Sequence, residues 1–142
     1  MPKSGKVILR AEPGVKLDKK QVSILKDYIP YCVRSLDLEN DYTGIMTNDR
    51  KKHEIETTGM CMPSKGEFYV YCEDRSLIDI LRTISHELAH LSQHEREVFD
   101  PDEIHFSSDS EDEANMLAGE LVNAFVEVVG YDTLFEGKDE SR

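Results

Sequence analysis

Apolar residues between positions 77 and 91 recur at helical spacing: Leu77, Leu81, Ile84, Leu88 and Leu91. At about 100° per residue they fall within a stripe about 80° wide, which predicts an amphipathic helix over residues 76–98. Ser76 with Asp79 three positions on forms its capping box, with Asp a poorer reciprocal partner than Glu, and Pro101 closes the segment downstream. A second stripe, Ala114, Leu117, Ala118, Leu121, Val122, Phe125 and Val129, predicts a last helix that starts near Ser108 or Ser110 and stops at Gly130, a C′ residue. An earlier helix opens at Asp18, with Gln21 completing the capping box and Val15 as its staple, and carries Val22, Leu25, Ile29 and Val33 on one side. Pro30 either kinks or ends it, and Leu36-Asp37-Leu38 leads out.

The strands are shorter. Val7-Ile8-Leu9 is a first strand or a docked terminus, and Tyr42 to Thr47 is a strand followed by an exposed turn or loop from Asn48 to His53. Thr57 to Met62, Pro63 to Gly66 and Glu67 to Cys72 read as a hairpin whose second arm alternates. That arm comes immediately before the helix over 76–98. At the rim of a cleft it could pair with an extended peptide; an ordinary sheet strand is an equally good reading. The pattern predicts an α+β fold: a small antiparallel or mixed sheet packed on the central helix and a C-terminal helix. The 142 residues suit a single domain over 1–142, with 136–142 as a frayed polar tail.

Composition narrows the classes of function. Hydrophobic residues make up 39%, and no apolar run reaches the length that crosses a bilayer, so no membrane partner is expected. Met1-Pro2-Lys3-Ser4-Gly5-Lys6 does not open a secretory signal, and Cys32, Cys61 and Cys72 have no paired spacing. Both point to free thiols in a reducing cytoplasm. The net charge of −12, with no Lys/Arg stripe, argues against nucleic acid as partner. A surface that imitates DNA is a narrower reading of the same charge than a solvated face.

The chemistry sits on the central helix, where His86-Glu87-Leu88-Ala89-His90 spells H-E-x-x-H. At about 3.6 residues per turn the two imidazoles project from one face and can share a zinc ion, while Glu87 at the edge of that face can act as general base without ligating. A catalytic zinc ion usually takes three protein ligands. His94 lies a further turn along the axis, the cysteines lack ligand spacing, and His53 reads as a surface histidine, as does His94. Asp100 and Asp102 start like a calcium loop, but Ile104 sits at a ligand position and the required glycine is missing. On the last helix Glu111 points to the middle of the apolar stripe, and Glu113 is turned about 160° away from it. Glu111 is therefore the expected third ligand and Glu113 the fallback, with Asn115 placed to hydrogen-bond a ligating histidine. Ser108-x-x-Glu111 also fits a capping box, as does Ser110-x-x-Glu113, which would leave Glu111 free.

The segment Ile80 to His90, followed by Glu111-Asp112-Glu113-Ala114-Asn115-Met116-Leu117-Ala118, resembles the small gluzincin metallopeptidases of the ImmA/IrrE type and similar phage peptidases. The resemblance spans residues 67–125; no Leu-Leu-Met-Pro segment follows the last helix, and no DNA-binding unit lies within the sequence. It implies a minimal zincin-like fold, with His86, His90 and Glu111 holding one Zn2+ per chain and Glu87 as catalytic acid/base. It further implies hydrolysis of a protein or peptide substrate, a regulator among the candidates, in a bacterial or phage-infected cytoplasm. His105 and Tyr131 are the candidate oxyanion donors. Two other classes fit the same residues: a zinc-stapled module without turnover, and an acidic interaction or inhibitor protein in which H-E-x-x-H is coincidental.

Overall fold

The structure is a computed structural model of the chain, and its described residues are 4–96 and 108–130. Strand β1 (Val7–Ala11) leads to helix α1 (Lys19–Ser35), strand β2 (Tyr42–Thr47) and a single helical turn, α2 (Arg50–His53). Strand β3 (Gly59–Met62), a 3-10 turn (Pro63–Lys65) and strand β4 (Glu67–Tyr71) follow, then the long helices α3 (Leu77–Arg96) and α4 (Ser108–Val129).

Both halves of the capping box at α1 are present. Asp18 Oδ1 accepts from the Gln21 amide at 2.7 Å, and Gln21 Oε1 accepts from the Asp18 amide at 3.0 Å. The helix continues through Pro30 to Ser35, with Tyr28, Ile29, Cys32 and Val33 buried around the proline, so packing holds the turn that Pro30 weakens. Residues 50–53 form the turn α2 rather than a loop, because Asp49 Oδ1 caps it at the Lys52 amide, 3.0 Å away.

The sheet is mixed, in the order β1-β2-β4-β3. β1 and β4 both run parallel to β2, and β3 runs antiparallel to β4. The hairpin forms over the expected residues, and of the two readings of its second arm the ordinary sheet strand holds, not the rim strand. β4 lies inside the sheet, which is why Phe68, Tyr69 and Val70 are all buried, and the rim strand is β3. Period-two alternation sends Met46, Phe68 and Val70 to the face covered by α1, α3 and α4, where they join the main core. Ile45 and Tyr69 face the other way, forming a small cluster with Ile55, Met60 and Met62.

All five stripe residues of α3, Leu77 to Leu91, are buried in the main core. The C-terminal end of α3 is fastened through Glu95, whose carboxylate accepts from the amides of Glu39 and Asn40 and from the Tyr42 hydroxyl. Among the described residues no helix is long and apolar enough to cross a membrane.

Candidate active site

His86 and His90 lie one turn apart on α3, and α4 packs across that helix to bring Glu111 onto them. His90 Nε2 is 2.6 Å from Glu111 Oε1, His86 Nε2 is 3.4 Å from Glu111 Oε2, and the two Nε2 atoms are 3.1 Å apart. One ligand atom from each residue lies within 4.8 Å of the others. Metal bonds of about 2.0–2.1 Å arranged tetrahedrally separate neighbouring donors by about 3.3 Å, close to the separations of His86 Nε2 from His90 Nε2 and from Glu111 Oε2 and wider than that of His90 Nε2 from Glu111 Oε1. Two nitrogens and a carboxylate oxygen suit a borderline-soft cation. The donor set fits a metal ion.

Glu87 takes a different position. It is only 5% exposed and lies under β3, at a point where the rim strand carries Gly59 instead of a side chain. Burial, followed by the negative charge of Glu111, pushes its carboxyl up to about 8, and a hydrogen bond with Cys61 pulls the other way. Gly59 and Cys61 alternate with Met60 and so share the helix-facing side of β3. The His86 imidazole is shifted down by burial and by His90, with Glu111 and a hydrogen bond to Asn115 acting in the opposite sense. Asn115 therefore sits where the sequence placed it, against a histidine of the pair.

Glu113 does not join the triangle. Its Oε1 accepts from Gln93 Nε2 at 2.8 Å and from Arg96 at 2.9 Å. Nor does Glu111 serve as the capping partner of Ser108, since its carboxylate is directed at the histidines. His53 is largely covered, contrary to expectation: its Nε2 is 2.8 Å from Glu12 Oε2 and its ring tilts against Tyr69. His94 is half-buried near the end of α3. His105 and Tyr131 lie outside the described residues.

The rim strand is held against α3 by an arginine. Arg75 donates to the carbonyls of Tyr71 and Asp79 and to Thr83 Oγ1, at 2.8, 3.0 and 2.8 Å. Thr83 Oγ1 in turn donates to Thr58 Oγ1, at 3.3 Å, just before β3 begins. Thr57, Thr58, Arg75, Arg82, His86 and Glu111 border one cleft of about 400 Å³. Neither Gln93 nor Cys61 stood out in the sequence. The available signal for Gln93 was its i+3 spacing from His90 on the metal-facing side of the helix.

No family model matches the chain, and no curated protein matches it. Among solved structures it is similar to a Wss1 mutant from Saccharomyces cerevisiae, at 12% identity and a TM-score of 0.52. The match covers 91% of this chain and 97% of that one. The ImmA/IrrE resemblance gains nothing from these comparisons. The α+β architecture, with its small mixed sheet over two long helices, is a minimal zincin-like fold.

Proposed function

We propose that the protein is a zinc-dependent endopeptidase, with His86, His90 and Glu111 as metal ligands and Glu87 as the catalytic acid/base. The observation that carries this reading is the convergence of one donor atom from each of the three residues, beside a buried carboxylate that stays out of the triangle. Zinc held there would supply Lewis-acid polarisation of a peptide carbonyl and of the attacking water. Glu87, next in sequence to His86 and three residues before His90, takes the proton as the water attacks and delivers it to the departing amine. Its carboxylate is kept in place by the close approach of Gly59 and by the Cys61 thiol.

The rim strand supports an extended substrate. The Tyr71 amide donates to the Thr58 carbonyl at 2.9 Å, so in this antiparallel pair residues 58, 60 and 62 turn their backbone groups toward β4. Gly59 and Cys61 consequently present theirs along the edge that no strand among the described residues occupies, where an extended peptide can add as a further strand, displacing the long Thr57 hydroxyl bond to the Gly59 carbonyl.

The test is metal analysis of the purified protein together with hydrolysis of an unfolded protein such as reduced casein. Wild type should carry one zinc per chain, which His86→Ala and Glu111→Ala should lose. Glu87→Gln should retain zinc and lose cleavage by at least about 100-fold, the usual range for a positioned acid/base. Full-rate cleavage by Glu87→Gln would remove the base. Zinc without hydrolysis of any protein would favour the non-catalytic staple, and no zinc at all the acidic interaction protein.

A further inference from the structure

We infer that Gln93 and Glu113 form a positioning clamp that sets the tautomer of His90 and fixes α4 against α3, so that Glu111 arrives at the metal with the correct register. The inference rests on the metal-site reading above and adds to it a role for two residues that do not touch the metal.

The hydrogen-bond chemistry leaves little choice. Gln93 is 1% exposed and its side chain bridges three groups: His90 Nδ1 at 2.9 Å, the Ser110 carbonyl at 2.9 Å and Glu113 Oε1 at 2.8 Å. A backbone carbonyl and a carboxylate can only accept, so the end of Gln93 that meets both must be its NH2 group. The Oε1 end is then the one that meets His90, and an amide oxygen can only accept. His90 Nδ1 therefore carries a proton, which leaves Nε2, 2.6 Å from Glu111 Oε1, as the nitrogen whose lone pair a metal ion can take. Only that tautomer can ligate through Nε2.

The same three bonds connect the helices. Gln93 and His90 belong to α3, while Ser110 and Glu113 flank Glu111 on α4. Arg96, three residues beyond Gln93 on α3, also donates to Glu113 Oε1, at 2.9 Å. A shift of α4 along its axis would stretch both Gln93 bonds together with the contacts of Glu111 to the histidines. Glu113 thus acts through Gln93, which explains why a second inward-reaching acid lies two residues from the ligand without joining it.

Zinc affinity measured by competition with a chromophoric chelator tests the clamp. Gln93→Met preserves the volume but removes the amide, and should weaken zinc binding by about 10–100-fold, the range for loss of a partner behind a ligating histidine. Glu113→Leu should also weaken it, and Glu113→Gln, whose amide oxygen still accepts from Gln93 and Arg96, should restore it. In a Gln93→Met background Glu113→Leu should add little, because both act along one line. Should Gln93→Met misfold, long-range 1H–15N spectra of the wild type decide the matter. In zinc-free protein His90 Nδ1 should carry a proton shared with Gln93 at every pH at which the fold persists, whatever Nε2 carries. A bare Nδ1, or unchanged zinc affinity in a folded Gln93→Met, would overturn the clamp. Zinc loss in Glu113→Gln as complete as in His90→Ala would instead make Glu113 a ligand. If the wild type binds no zinc, the metal reading fails, and the tautomer alone then judges the clamp.

Discussion

The residue that brings the rim strand to Glu87 is the one with no side chain. A Cβ on Gly59 would stand 2.7 Å from Glu87 Oε2 and 2.7 Å from Thr83 Cγ2, closer than real carbon contacts allow. Thr83 is tied to Arg75 and Thr58, so it has little room to give, and the displacement falls on Glu87 at the expense of its contact with Cys61. Gly59→Ala should therefore cost about 1–3 kcal/mol of stability, as overpacking does. Casein cleavage should fall, while zinc content stays at the wild-type level because none of the three ligands touches the new methyl. Urea denaturation, metal analysis and the cleavage assay on one preparation check this. A variant with wild-type stability and wild-type cleavage would show that β3 does not press on Glu87.

At the scale of elements, the end of β1 is joined to α2 by a single carboxylate. Glu12 follows β1 directly and meets Lys52 Nζ at 3.3 Å and His53 Nε2 at 2.8 Å, and its carboxyl is lowered from 4.5 to about 2, chiefly by a hydrogen bond from Thr47, then by His53 and Lys52. A carboxyl whose folded pKa lies below its unfolded one binds protons more weakly in the folded state. Its stabilisation is complete above the ordinary carboxylate range and is lost as pH falls from about 4.5 toward about 2. Glu12→Gln should be less stable than wild type at neutral pH by about 1–3 kcal/mol, the scale for hydrogen bonds to a charged group. The gap should close as pH falls through that window. Urea midpoints for both proteins across the window check it; a gap independent of pH would mean that the ionised form contributes nothing.

Elements whose cause is local were legible in the sequence. The Leu77 to Leu91 stripe, the Asp18/Gln21 box and the Gly130 stop, which has φ of 88° in the structure, all depend on contacts within one helical turn. So does the His86/His90 pair, and Glu111 followed from its place on an apolar stripe that had to face inward. What could not be read depended on neighbours distant in the chain. The alternation of Glu67 to Cys72 identifies a strand but not its neighbours, and β2 pairs with β4 across more than twenty residues, leaving β3 at the rim. Gln93 escaped for the same reason. Nothing near residue 93 says that Ser110 and Glu113 will meet its amide, and without them its orientation has no cause.

For the whole molecule, the proposed ion would be a cross-link between the two consecutive long helices α3 and α4. A ligand that binds only the folded state stabilises it by about 2.7 kcal/mol at a hundredfold excess over Kd, which for a chain of this size raises Tm by on the order of 10 °C. Thermal unfolding with zinc and with chelator should show that rise in the wild type and in Glu87→Gln, and none in His86→Ala or Glu111→Ala. The net charge of −12 supplies a competing cause, because any divalent cation gathers around an acidic surface and relieves its self-repulsion. Magnesium separates the two: it prefers oxygen donors and keeps its own waters, so two imidazoles and one carboxylate offer it a poor site. A rise in Tm with magnesium equal to that with zinc, retained in His86→Ala, would assign the effect to diffuse charge. A rise confined to zinc and lost in both ligand variants would assign it to the junction of α3 and α4.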